Sequence, residues 1–178
     1  MRVKTMCVMI GTLVLMGTVA YVGSVLATPA SGFSGSTIAV GRFDEIDVSN
    51  LALPRDLPSL MTKTPWLSMQ KTKGASDLFV QNNLWLPGGT TGWHTHPGHS
   101  LIIVTEGTVT VYDGDVHSCE PRQYTVGMGF VDPGGTHVHL IRNEDPVTNA
   151  RTVAVQLIPA GAMRRIDADA PDACPGVL

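Results

Sequence analysis

Gly88-Gly89-Thr90-Thr91-Gly92-Trp93-His94-Thr95-His96 is the stretch that decides the fold, and Pro133-Gly134-Gly135-Thr136-His137-Val138-His139 answers it about 40 residues later. Both end in His-x-His. In an extended chain residues i and i+2 point to one face, so His94 and His96 share a face, as do His137 and His139. If the two faces line one interior, several imidazoles converge, which is what a transition metal needs. A hydrogen-bonded polar core would use isolated histidines in the same way. Two such units, each beside a Gly/Pro turn, favour the metal. Of the other histidines, His99 follows the first unit closely and His117 stands apart.

The flanking sequence is β in character. From Asp77 onward, short runs of Val, Ile, Leu, Thr and aromatic residues alternate with Gly/Pro/Asp turns about every ten residues, the pattern of an all-β sandwich or barrel. Strands are expected near Leu78 to Leu86, Thr91 to His96, Leu101 to Thr105, Thr108 to Tyr112, Gly129 to Val131, His137 to Arg142 and Thr152 to Ile158. Glu106-Gly107 and Asp113-Gly114 supply hairpin turns. Residues 28–76 are rich in Ser, Gly and Pro and read as an irregular arm that lies outside the domain or adds an edge strand. Residues 77–160 form the barrel, and residues 161–178, with Pro171 and Pro175, an extended strap.

The two histidine stretches resemble the paired motifs of the cupin family. Gly88, five residues, His94-Thr95-His96 and later Gly107 follow the first motif. Gly127, five residues, Pro133-Gly134-Gly135 and then His139 to Asn143 follow the second. The resemblance covers about Leu78 to Ile158 and implies a small jelly-roll β-barrel with its site at the mouth or interior. It departs from the family twice. Counting back from Gly107, Ser100 stands where the metal-binding glutamate belongs. The second motif also carries one extra residue before its histidine, so His137 competes with His139. Spacing to Asn143 favours His139. The implied ligand set is His94, His96 and His139, with His99 and His137 in reserve. Three imidazoles without the glutamate suit Fe, Zn, Ni or Cu better than Mn or Mg. The set resembles that of the three-His thiol dioxygenases more than that of the oxalate enzymes. Such rings bind metal only when neutral, so loading should fall below about pH 6.

The remaining features set the context. Eighteen of residues 1–27 are apolar, with Arg2 and Lys4 ahead of the run and Val25 and Ala27 at the end. This reads as a signal peptide cleaved after Ala27, with an uncleaved anchor as the competing reading. A secreted, periplasmic or cell-envelope location follows. Cys7 leaves with that segment, so Cys119 and Cys174 become a candidate disulfide in an oxidising compartment, against two unpaired buried thiols. Without Arg2 and Lys4 the chain holds 10 basic and 15 acidic residues, a net charge of −5. No basic patch stands out, which argues against nucleic acid as a partner.

Other candidates weigh less. Trp93 is expected to pack rather than bind. Phe79, Trp85 and Tyr112 could line a pocket but suit a core. Arg142 and Arg151 could hold an anion but are more simply solvated. Asp113-Gly114-Asp115 could attract calcium but serves as a turn. Two functions stay open: an exported metal-dependent, dioxygenase-like oxidoreductase, or a non-catalytic metal- or ligand-binding module. The expected partner is a small-molecule ligand or substrate. A membrane would enter only through an uncleaved residue 1–27 segment, and a homodimer is left open.

Overall fold

The computed structural model describes residues 27–53, 65–115 and 119–177. The expected signal peptide, residues 1–27, lies outside the described residues except for Ala27, and the described residues contain no helix long and apolar enough to cross a membrane. The fold is an all-β, nearly closed barrel made of two facing layers. In the first, β1 (Ser31–Phe43), β4 (Ser76–Thr90), β11 (Ala150–Pro159), β6 (Ser100–Glu106) and β9 (Gly129–Asp132) lie side by side. In the second, β8 (Arg122–Thr125), β7 (Thr108–Asp113), β10 (His139–Arg142), β5 (His94–Thr95) and β12 (Ile166–Asp167) do the same. One bridge, Arg142 to Thr90, joins the layers.

Period-2 patterning explains the layers. In β6, Ser100, Ile102 and Val104 turn inward and are buried, while Leu101 and Ile103 face out. Trp85, Val104, Val109, Val111, Ile141 and Ala150 form the inner core. A second core lies on the outer face of the β10 layer, where Trp93, Leu140, Cys119 and Cys174 pack together. The C-terminal strap covers that face. Cys119 and Cys174 sit at disulfide distance, with sulfurs 1.98 Å apart, and the Trp93 indole N–H donates to Val177 O at 2.9 Å.

Within residues 28–76, the described residues 28–53 and 65–76 are largely strand, with the edge strand of the alternative reading present. Ser31–Phe43 pairs antiparallel with β4 over nearly its whole length as a sheet-edge strand, and β2 (Asp47–Ala52) and β3 (Trp66–Lys71) form a separate two-stranded ribbon. A Ser/Gly-rich composition reads as flexible, but a ready-made partner in β4 overrides weak local preference. The expected strand Thr91 to His96 shrinks to His94–Thr95, and the one near His137 begins at His139.

Candidate metal centre

Backbone pairing brings the two histidine stretches together. His139 in β10 pairs directly opposite His94 in β5. The turns beside them are stitched by two hydrogen bonds, Gly135 N–H to His96 O at 2.7 Å and Thr95 Oγ1–H to Gly135 O at 2.8 Å. Gly134, at φ +68°, lies so close to Gly98 that a Cβ on it would come 2.2 Å from the Gly98 carbonyl oxygen. Only glycine allows both that dihedral and that approach.

One nitrogen from each of His94, His96 and His139 falls within 4.8 Å of the others. The rings are close, with centroids 4.3 Å apart for His94–His139 and 4.8 Å for His94–His96. Carbonyls hold two of them in one tautomer. His94 Nδ1–H donates to Gly92 O at 2.9 Å, and His96 Nδ1–H donates to Arg164 O. A carbonyl can only accept, so Nδ1 carries the proton and the Nε2 lone pair stays available for a ligand bond. Burial lowers the pKa of all three rings: His94 well below its ordinary value, His96 in the same direction, and His139 to about 3. The neighbouring imidazoles push His139 and His94 further the same way. Three neutral imidazoles, His94 and His139 buried and His96 half-buried, are the donor set of a borderline transition metal, so the residues present fit such an ion.

The anionic member of the cluster comes from an unexpected position. Asp132, buried at the end of β9, lies with Oδ2 3.5 Å from His96 Nε2 and Oδ1 3.6 Å from His139 Nδ1. In the β6–β9 ladder it is paired with Ser100, the position that lacks the family's glutamate. A carboxylate missing from one strand is thus present on the next. Its Oδ1 accepts from Gly134 N–H at 2.9 Å, whereas Oδ2 is buried without a hydrogen bond. Desolvation raises the carboxyl pKa above its ordinary value despite that N–H and the nearby imidazoles. Asp132 was missed from the sequence because only strand register places it beside His96 and His139; its one signal was inward parity with Phe130 on a strand ending in Pro-Gly.

Of the two reserve histidines, His99 lies elsewhere, whereas His137 adjoins the cluster, with a nitrogen within 4.8 Å of one on His139 and of an Asp132 oxygen. His99 lines a separate hollow with Phe43, Leu78 and Leu101, outside the cluster, because the Pro97-Gly98 turn reverses its direction. His137 is stacked against His139 at 5.7 Å, but both of its nitrogens face carboxylates, Asp113 Oδ1 and Asp115 Oδ2, each at 2.9 Å. It precedes β10 rather than belonging to it. Asn143, fully buried, donates to Leu86 O and Thr148 O and accepts from Asp145 N–H, so it shapes the turn after β10.

The cluster forms one end of a cavity of about 210 Å³. Phe33, Trp85, Ile102, Ile141 and Ala154 line its apolar part, and Gln156, Arg164 and Arg165 its polar rim. Trp85 therefore serves both core and cavity. Arg142 and Arg151 do not reach it; they face Glu144 at 3.6 Å and Glu106 at 2.9 Å. Arg165 donates to Asp167 Oδ1 and to Thr91 O, which locks the strap onto the barrel.

The chain matches the Cupin domain family over residues 84–156. No curated protein matches it. Among solved structures it is similar to the polyketide cyclase RemF of Streptomyces resistomycificus, at 20% identity and TM-score 0.43, covering 52% of this chain and 62% of that one. It is also similar to a cupin domain of Bordetella pertussis, at 24% identity and TM-score 0.37, covering 45% and 80%. A predicted oxalate decarboxylase of Thermotoga maritima is similar at 18% identity and TM-score 0.38, covering 48% and 83%. The matched stretch, residues 84–156, holds His94, His96, Asp132 and His139, so the similarity to the Cupin domain family and the candidate metal centre of three histidines and an aspartate fall on the same part of the chain.

Proposed function

We propose that this is an exported cupin that holds a divalent first-row metal, Fe, Zn, Ni or Cu, through His94, His96 and His139 and acts on a small molecule in the adjoining cavity. The observation that carries the reading is the convergence of three neutral imidazoles at the polar end of a partly apolar cavity. His137 is set aside as a ligand because two carboxylates occupy its nitrogens. Bound there, the metal would supply Lewis acidity and, for Fe or Cu, redox chemistry of the dioxygenase type. Asp132, whose pKa desolvation raises, presents an Oδ2 beside His96 that makes no hydrogen bond. Trp85 and Ile141 exclude water from the far end and give an apolar substrate its seat. Export is supported by the residue 1–27 pattern and by the paired Cys119 and Cys174.

Elemental analysis of the purified chain after reconstitution, beside His94→Ala and His139→Ala, tests the reading. About one metal per chain is expected for the wild type and less than a tenth of that for either variant. A wild type devoid of first-row metal would sink it. Bound metal with no oxygen consumption or product across a substrate panel would return the chain to the binding-module class.

A further inference from the structure

Six arginines lie among the described residues, and five face a carboxylate: Arg42 with Asp77, Arg122 with Asp113, Arg142 with Glu144, Arg151 with Glu106 and Arg165 with Asp167. Arg164 is the exception. Its guanidinium is stacked over the Phe79 ring at 5.1 Å, lines the cavity and meets no carboxylate among the described residues. The side chain is half-buried, and desolvation pulls its pKa down from the ordinary value. A guanidinium withdrawn from water without a counter-charge is unfavourable unless a ligand supplies one. The stack also holds the fork in a fixed plane, so a planar anion can be met by two parallel N–H donors.

From this placement we infer that the cavity takes a small organic carboxylate, its anionic end on Arg164 and its apolar body against Phe33 and Trp85. The proposal deepens the reading of the cavity as a substrate site and rests on it. A carboxylate fits better than a phosphate for two reasons. A single unpaired guanidinium matches one negative charge, and Asp132 already places a carboxylate in the same cavity, which disfavours a dianion. The apolar part, with the Phe33 and Trp85 rings 4.9 Å apart, suits an aromatic or branched body. Arg164 also joins ligand to metal site, because its carbonyl accepts from His96 Nδ1–H while its side chain faces the cavity. Substituting the side chain leaves that carbonyl in place, so the two roles can be separated.

The probes are benzoate, neutral benzamide and inorganic phosphate, titrated calorimetrically and by Trp fluorescence into zinc-loaded and metal-stripped full-length protein. Benzoate is expected to bind at least tenfold tighter than benzamide or phosphate in both forms. Arg164→Gln should abolish that preference and Arg164→Lys restore part of it, with zinc content and melting temperature at wild-type values. Equal binding of benzoate and benzamide, no saturable benzoate binding, tighter phosphate binding, or an unchanged preference in Arg164→Gln would each overturn the proposal. Zinc content separates its failure from that of the metal reading. Zinc retained without benzoate preference removes only the carboxylate site, whereas preference in a chain that holds no metal leaves the anion site standing alone.

Discussion

His94, His96 and His139 reach the cluster without protons to lose, because burial has already disfavoured their charged forms. Free imidazoles would release a metal below about pH 6; these rings should keep it to lower pH. Zinc retained after equilibration at pH 5 should stay above half of the pH 7 value, and complete release at pH 5.5 would contradict this. His137 and His139 are two residues apart, yet only one of them has a free nitrogen aimed at the cluster. His137→Ala should therefore keep near wild-type metal content while His139→Ala loses it, and the opposite result in elemental analysis would reverse the assignment. Asp132 lies beside the available Nε2 of His96 and near Nδ1 of His139. Asp132→Asn keeps its size and its Gly134 contact but removes the charge, so metal affinity should weaken by about 10- to 100-fold with stoichiometry unchanged. Competition with a calibrated chelator measures it.

At the scale of elements, the site depends on two turns held in contact and one strap held down. Gly134 lets the Pro133 turn sit on the Pro97-Gly98 turn, which carries His96 toward His139. Gly134→Ala would force both a disfavoured dihedral and a clash with a backbone oxygen. A loss of about 2–4 kcal/mol is expected, read in a denaturant titration, with metal content falling in parallel. The strap reaches the site through β12, whose Asp167 and Ile166 pair with His94 and Thr95. Its far end is tied by Cys119 and Cys174, 55 residues apart. On the chain-entropy view such a link contributes roughly 4 kcal/mol, so Cys174→Ala should lower the melting temperature by several degrees. A thiol titration of the unfolded, unreduced chain should find neither of these sulfhydryls free. Two free thiols would refute the pair.

For the whole molecule, burying three histidines links stability to pH. In the unfolded chain they protonate near 6.5, in the folded one at lower pH, and for His139 near 3. Between those values the unfolded state binds more protons, so each step down in pH favours unfolding. Asp132 acts in the opposite sense, since its raised pKa makes the native state the better proton binder just above the ordinary carboxyl value. One such group does not outweigh three. The melting temperature of metal-stripped protein should fall steadily from pH 7 to pH 4.5. A flat profile in differential scanning calorimetry would mean that the rings are more hydrated than their burial implies.

The sequence alone determined the β class, the turn spacing and the two His-x-His units, because period-2 alternation and Gly/Pro punctuation are local properties. It also carried the resemblance to the cupin motifs, since motif spacing is a linear record of strand and turn lengths. It failed where a partner decides. Ser31–Phe43 read as part of an irregular arm or as an edge strand, and pairing with β4 decided for the strand. Asp132 and Ser100 are 32 positions apart, and only the β6–β9 register sets them face to face. His99 lost its place to the direction of one turn, and Arg164 gained one because a strap folds back over the barrel mouth. Which residues could bind metal was written in their order; which of them meet was settled by strand register and chain reversal, interactions between segments that no local pattern encodes.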